Sequence, residues 1–403
     1  MKRKRFGALL LALTLTLSLI APGTCPTVHA MTVLETDTST ASDGCTMLGI
    51  YGSYYSNAKE ALDKINDIRK EACTAGNVPD PRNPERMLTP SDYSPLKWSS
   101  DLERVARIRA AEAAIAYHFM DSGHQRLNQK AISDIVYNGH YSSAEDLSYY
   151  YNKDMIEGIL LWHMEKKDWV NQDCSKTTGH YTSIINPNYT YIGLGGFYTE
   201  ATPYPATLAG ELSATSEQGL DETMLSAPKD VMQKIEVSDN FIKNNLLDGT
   251  TTIETDQTTT LTPMVQIQRR STRKLWMLGT FTYSSSNTAV AKVANTGVVT
   301  GVTDGTATIT VRSGNHVIAS TEVTVKCAHP LKMTSSTPST CQRAGERVYY
   351  CSVCNKTTKQ TLPLAAHDYV YGTADSSGKC TGVSPYVKIK LRSHHQPLFH
   401  CAG

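Results

Sequence analysis

Apolar residues recur at helical spacing in three stretches of the first two hundred positions. Asn57 and Glu60 frame a capping box ahead of Ala61, Leu62, Ile65, Ile68 and Ala72, which predicts a first helix. Five prolines (Pro79, Pro81, Pro84, Pro90 and Pro95) then mark a loop. Pro95-Leu96-Lys97-Trp98 leads into a second helix, capped by Ser100 with Glu103 and continuing through Leu102, Val105, Ala106, Ala110, Ala113, Ala114 and Tyr117. Its Ala-rich face suits close packing. A third helix is expected from about Asp154 to Glu165, where Leu161, Trp162, Glu165 and Trp169 fall on one face. A carboxylate on an apolar, aromatic stripe is costly to bury alone, so it should have a partner. His180 is the nearest candidate, at the start of an alternating hairpin that Asn186-Pro187-Asn188 turns and that residues 189–198 close.

The pattern changes further on. Residues 201–250 read as a connector with one short helix near Lys229–Ile235. Beyond them Thr, Val and Gly dominate and short alternating runs succeed one another, each bounded by turn residues. After 326 come Cys327-x-His329, Cys341, Cys351-x-x-Cys354 and His367, and residues 371–403 form an irregular basic tail.

Composition adds the compartment. Lys2 to Arg5, an apolar run from Ala8 to Ile20 and Val28-His29-Ala30 make a secretory signal peptide over 1–30, with cleavage expected after Ala30. The apolar core falls short of the roughly 20 residues a spanning helix needs, and no later run is long enough, so no membrane span is expected once the signal is removed. Residues 31–54 read as a polar, Thr/Ser-rich lead-in. A formal net charge of +1 gives no case for nucleic acid as a partner. The ten cysteines suit an oxidising compartment, and setting Cys25 aside leaves an odd number. A Cys73–Cys174 bridge is one open pairing. Cys327, His329, Cys341, Cys351, Cys354 and His367 allow either zinc or two disulfides.

The stretch Trp162-x-x-Glu165, Gly179-His180-Tyr181-Thr182 and Ile192-Gly193-Leu194-Gly195 resembles the signature of the CAP superfamily, the cysteine-rich secretory, antigen-five and pathogenesis-related proteins. The resemblance covers about 57–200. Gly123 to Asn128 resembles the His-Thr-Arg-Pro-Asn-Gly segment of bacterial members, which puts His124 at the family's first histidine, with His118 competing. Ala144-Glu145-Asp146-Leu147 stands where the family has Gly-Glu-Asn-Leu. Further on, Tyr283 to Asn287, Val290-Ala291, Gly297 to Gly301 and Gly305 to Ile309 resemble a group-two bacterial immunoglobulin-like domain. Short Cys/His segments similar to the one beginning at Cys327 recur in exported Gram-positive proteins.

These resemblances imply an α+β protein: a CAP-type three-layer α-β-α sandwich over 55–200, the connector over 201–250, a small all-β immunoglobulin-like sandwich over 251–326 and a short Cys/His-rich module over 327–370. They also imply that His124, Glu145, Glu165 and His180 converge in one cleft. Two imidazoles and two carboxylates can hold a divalent metal such as zinc, perform acid–base chemistry, or satisfy one another as a polar network. The role expected is binding or adhesion outside the cell, with a lipid, glycan, peptide or host surface as ligand. The alternative is a metal-dependent hydrolase with Glu145 or Glu165 as base. The usual competing signatures are missing: there is no His-Glu-x-x-His, no Gly-x-Ser-x-Gly and no phosphate-binding glycine loop.

Overall fold

The computed structural model describes residues 32–55, 57–116, 124–217, 219–267, 274–353 and 355–366. The expected signal peptide, His118, Cys354, His367 and the tail therefore lie outside the described residues. The chain divides into two compact units. The first takes in residues up to 249 with 260–283 and 310–321; the second takes in 250–259, 284–309 and everything from 322.

In the first unit, strands β1 (Thr32–Leu34) and β2 (Cys45–Tyr54) precede helix α1 (Ala58–Thr74). The short strands β3 (Pro79–Asp80), β4 (Asn83–Met87) and β5 (Lys97–Trp98) cross the proline loop, ahead of α2 (Ser100–Ala116). Next come β6 (Ala144–Tyr150), α3 (Met155–Met164), α4 (Lys166–Val170) and α5 (Gly179–Ile185). Strands β7 (Tyr191–Tyr198), β8 (Ala206–Ser213), β9 (Val231–Ser238) and β10 (Ile242–Asp248) complete the run. One ten-stranded sheet collects β10, Thr262–Ile267, Lys274–Met277, β2, β7, β8 and β6 in that order, with β9 pairing both β1 and β2 and β5 pairing β7.

Two apolar clusters hold helices to this sheet. One joins α1, α3 and α5 through Ile65, Ile159, Trp162, Tyr181 and Ile184 to Ile192, Leu194, Leu208 and Leu212. The other joins the alanines of α2 to Leu48, Ile50, Phe197, Ala209, Val237 and Val265. Helix α2 is buried almost all round. Its close approach depends on Gly193 and Gly195: a Cβ on Gly193 would lie 2.1 Å from Glu103 N, and one on Gly195 2.4 Å from the Ala106 carbonyl. The Ile-Gly-Leu-Gly strand thus lets helix backbone meet strand backbone.

Several local expectations change. Residues 31–54 are not a loose lead-in: Leu48, Ile50 and Tyr54 of β2 are buried, and β2 pairs along its length with β9. The helix expected near Lys229–Ile235 is strand β9, whose Val231, Ile235 and Val237 alternate into the core. Asn57 makes no side-chain cap. Its amide instead reaches Asp154 Oδ1 at 2.5 Å and accepts from Met155 N–H, tying α1 to the start of α3. The second helix takes its cap from Ser99, whose Oγ accepts from Leu102 N–H, while Glu103 is buried against Trp98 Nε1 and Arg107. Cys73 is buried, Cys174 is exposed, and both are free thiols, so the Cys73–Cys174 bridge is not formed.

In the second unit, the motifs carrying the immunoglobulin resemblance fall on short strands, among them Ala291–Val293, Val298–Gly301 and Gly305–Ser313. Beyond them, Lys332–Thr337, Gly345–Tyr350 and Thr357–Leu362 make an antiparallel three-stranded sheet. Lys332–Thr337 is exposed at every position, and Thr357–Leu362 at all but its last. Among the described residues no helix is long and apolar enough to cross a membrane.

Candidate functional site

The two indoles that flank Glu165 in sequence anchor the helices on either side of it. Trp162 is buried and donates Nε1–H to Leu147 O, and Trp169 donates to Pro79 O. Glu165 sits at the joint between α3 and α4. Leu161, expected on the same packed face, is 41% exposed. Facing the joint is α5. The sequence pattern opens a strand at His180, yet Gly179–Ile185 is helical, because Tyr181, Ile184 and Ile185 bury at spacings of three and four rather than by alternation. Asn186-Pro187-Asn188 still makes its turn, now between that helix and β7. Glu165 Oε1 lies 2.7 Å from His180 Nδ1 and Oε2 accepts from Tyr181 N–H at 3.0 Å, so one carboxylate holds both the ring and the helix that carries it.

The second pair is His124 with Glu145, Nδ1 to Oε1 at 2.9 Å. The segment just after His124 anchors it: Arg126 and Leu127 are fully buried, Leu127 O accepts from Ser238 N–H, and Asn128 donates to Glu236. The two imidazoles stack with centroids 5.9 Å apart and planes at 27°. The structure therefore brings His124, Glu145, Glu165 and His180 together. His124, Glu145 and His180 line a cleft of about 400 Å³ with Asp146, Ser183, Asn186 and Tyr189, and Glu165 stands behind His180.

Beneath the cleft runs a row of buried charges that motif matching did not reveal. Arg126 makes paired bonds of 2.8 Å to Asp37 and also reaches Glu112. Glu112 pairs with Arg109, whose Nε donates to Glu145 Oε2 at 2.6 Å. Arg109, Glu112 and Arg126 are all fully buried. Burial alone would raise the Glu145 carboxyl, but Arg109, with His124, outweighs it and holds Glu145 below the ordinary value.

Two further carboxyls behave oppositely. Asp146 is buried beside Glu145, and desolvation, reinforced by the charges of Glu165 and Glu145, pushes it well above the usual range. Glu211 lies directly across the ladder from Glu145, and burial, then the Glu145 charge, raises it as well. Asp146 Oδ2 and both Glu211 oxygens make no well-formed hydrogen bond among the described residues, and Ser183 and Ser142 offset only part of the two upward shifts. Asp146 was legible as a departure from the family's asparagine; Glu211 carried no signal short of strand register.

Of the six residues proposed as a second metal set, Cys327, His329 and Cys351 gather with donor atoms within 4.8 Å of one another. This group is not in the cleft. Cys341 is a free thiol outside it.

The model of the cysteine-rich secretory protein family (CAP) matches residues 62–204, and that of the bacterial Ig-like domain, group 2, matches 241–325. The chain carries a CAP domain followed by a group-two bacterial Ig-like domain. The second match takes in β10, Thr262–Ile267 and Lys274–Met277, which pair into the large sheet. Among solved structures, the C-terminal 282-residue fragment of intimin, in complex with the intimin-binding domain of its translocated receptor, is 18% identical. That match covers 38% of this chain and 55% of that one, at a TM-score of 0.17. Domains 5–6 of the S-layer protein SbsC are 19% identical over 34% of this chain and 67% of that one, at 0.15. Likenesses of this size carry no argument. No curated protein matches the chain.

Proposed function

We propose that this is an exported protein that binds or adheres outside the cell, with a CAP α-β-α sandwich presenting the His124/His180 cleft as its ligand site and the Ig-like region as an arm. The cleft suits a divalent cation such as zinc. In each pair the carboxylate takes up Nδ1, the division of labour of carboxylate–histidine–metal sites, in which Nε2 would bind the metal. That shared orientation, with the rings stacked on one another, is the observation that carries the reading. The metal would supply a Lewis-acidic anchor for a polar ligand group, while Glu145 and Glu165 hold the rings. The hydrolase reading ranks second, because Glu145, held ionised by Arg109, is a poor proton acceptor near neutrality.

Metal analysis of the purified full chain beside His124→Ala and His180→Ala tests the cleft. Each substitution should remove one equivalent of metal; unchanged content in both rejects ligation there. Turnover of peptide or ester libraries that vanishes in Glu165→Gln would instead promote the hydrolase.

A further inference from the structure

The second unit holds an arrangement that the CAP cleft does not explain. Cys327 and His329 leave the last strand of the Ig-like region, and Cys351 comes directly after Gly345–Tyr350 of the terminal three-stranded sheet. Cys327 Sγ lies 3.9 Å from His329 Nδ1, and all three donor atoms fall within 4.8 Å. A tetrahedral zinc with bonds of about 2.0–2.3 Å sets its donors roughly 3.5 Å apart, so the widest donor pair needs to close by up to about 1.3 Å.

Four independent features favour a metal here. First, the donor set is two thiols and one imidazole, which suits zinc and leaves one coordination position to be filled. Second, His329 Nε2 lies 3.0 Å from Asp256 Oδ2. With its proton on Nε2, the ring turns its Nδ1 lone pair toward Thr255 Oγ1 at 3.2 Å and Cys327 Sγ at 3.9 Å, so a metal would take the place of the Thr255 hydroxyl at Nδ1, and Asp256 plays the part that Glu145 and Glu165 play in the cleft. Asp256 is 73 residues away in sequence and adopts a φ of 65°, a left-handed turn that aspartate tolerates. Third, the loop is held by its own bonds: Thr255 Oγ1 accepts from Ala328 N–H, and Asp304 accepts from Cys327 N–H and from Lys356. Fourth, the terminal sheet has almost nothing else to order it. Its outer strands are exposed, and among the described residues of its three strands only Gly345 is buried, whereas the neighbouring Cys351 is 1% exposed. A segment this small needs a staple in place of a core.

We infer that Cys327, His329 and Cys351 form a structural zinc site, oriented by Asp256, that secures the terminal three-stranded sheet to the end of the Ig-like region. The Cys341 thiol takes no part.

The test uses the full chain in a His124→Ala/His180→Ala background, so that the cleft contributes nothing. After chelation and thiol reduction, zinc is titrated back against a chromophoric competitor, and cobalt(II) is loaded in parallel. The expected result is one tightly bound equivalent and a thiolate-to-cobalt charge-transfer band. Cys351→Ser and His329→Ala should abolish both, and Cys341→Ser should leave both unchanged. Asp256→Asn should weaken zinc about 10- to 100-fold, the usual cost of losing a carboxylate behind a ligand histidine. Zinc uptake indifferent to Cys351→Ser overturns the proposal. So does a Cys327–Cys351 disulfide, found by peptide mapping, in protein that takes up no zinc once reduced. Should Cys351→Ser fail to accumulate, Asp256→Asn decides alone, and an unchanged affinity there refutes the site.

Discussion

The cleft of the CAP domain and the Cys/His cluster of the second unit use the same small device, an imidazole turned by a carboxylate. His124 leans on Glu145, His180 on Glu165 and His329 on Asp256. They differ in what stands behind the device. Glu145 rests on a fully buried Arg109–Glu112–Arg126 row inside a ten-stranded sheet clad with helices. Asp256 is exposed, and the strands beyond its histidine bury no apolar side chain among the described residues. Packing makes the first site rigid before any ligand arrives. The second must draw its order from whatever binds it.

That contrast can be broken most forcefully at Arg109. Arg109→Met leaves Glu145 a buried acid without its guanidinium and Glu112 with Arg126 alone, and should cost about 3–5 kcal/mol in urea denaturation. Added zinc should not restore the loss, because the fault lies in the packed unit. A loss under about 1 kcal/mol would mean that water already screens the row.

A gentler probe is pH. Asp146 has a raised folded pKa, so its contribution to stability is complete below the ordinary carboxyl range and is lost as pH rises through the folded value. Glu145 has a lowered one, so its contribution is present above the ordinary range and is lost as pH falls through the folded value. Asp146→Asn keeps the shape and cannot ionise. From the carboxyl range upward it should remove a fall of up to about 1.4 kcal/mol per pH unit, the linkage of one proton. An unaltered slope in denaturation across a buffer series would show that Asp146 ionises freely.

The smallest effect belongs to the far sheet. Met333 is 52% exposed, and Met333→Ala should change stability by less than about 0.5 kcal/mol, read as a midpoint in the same titration. A larger cost would reveal a core that the terminal sheet does not display.

How much of this was legible in advance depended on the distance over which each residue's partner was chosen. Trp162 and Glu165 were readable as members of one helix because they stand a helical turn apart, whereas the Gly193/Gly195 strand was marked only by the family signature and its role depends on Glu103 and Ala106, far back in the chain. The four cleft residues were placed by resemblance to a family. Spacing alone assigns His180 to a strand, since a Gly-His-Tyr-Thr run carries no strong helical mark until Tyr181, Ile184 and Ile185 are seen to bury together. Strand β9 reads as a short helix because its alternation is partly masked by Gln233 and Glu236, polar residues that are buried all the same. Arg109 and Glu211 were out of reach: one looks like any helix charge, and the other matters only through its register against Glu145. Asp256 and His329, far apart in the chain, meet through the folding of the Ig-like strands.

The row beneath the cleft is odd in number. Asp37, Glu112 and Glu145 are three acids set against two guanidiniums, Arg126 and Arg109, so one negative charge is left over. Its outer end is anchored near the N-terminal strand and its inner end opens at His124, the most solvent-accessible member of the cleft's two acid–imidazole pairs. An imbalance walled in by protein attracts positive charge at the end where water can enter. The mouth of the cleft should therefore favour cations over anions of the same size, whichever ligand it ultimately receives.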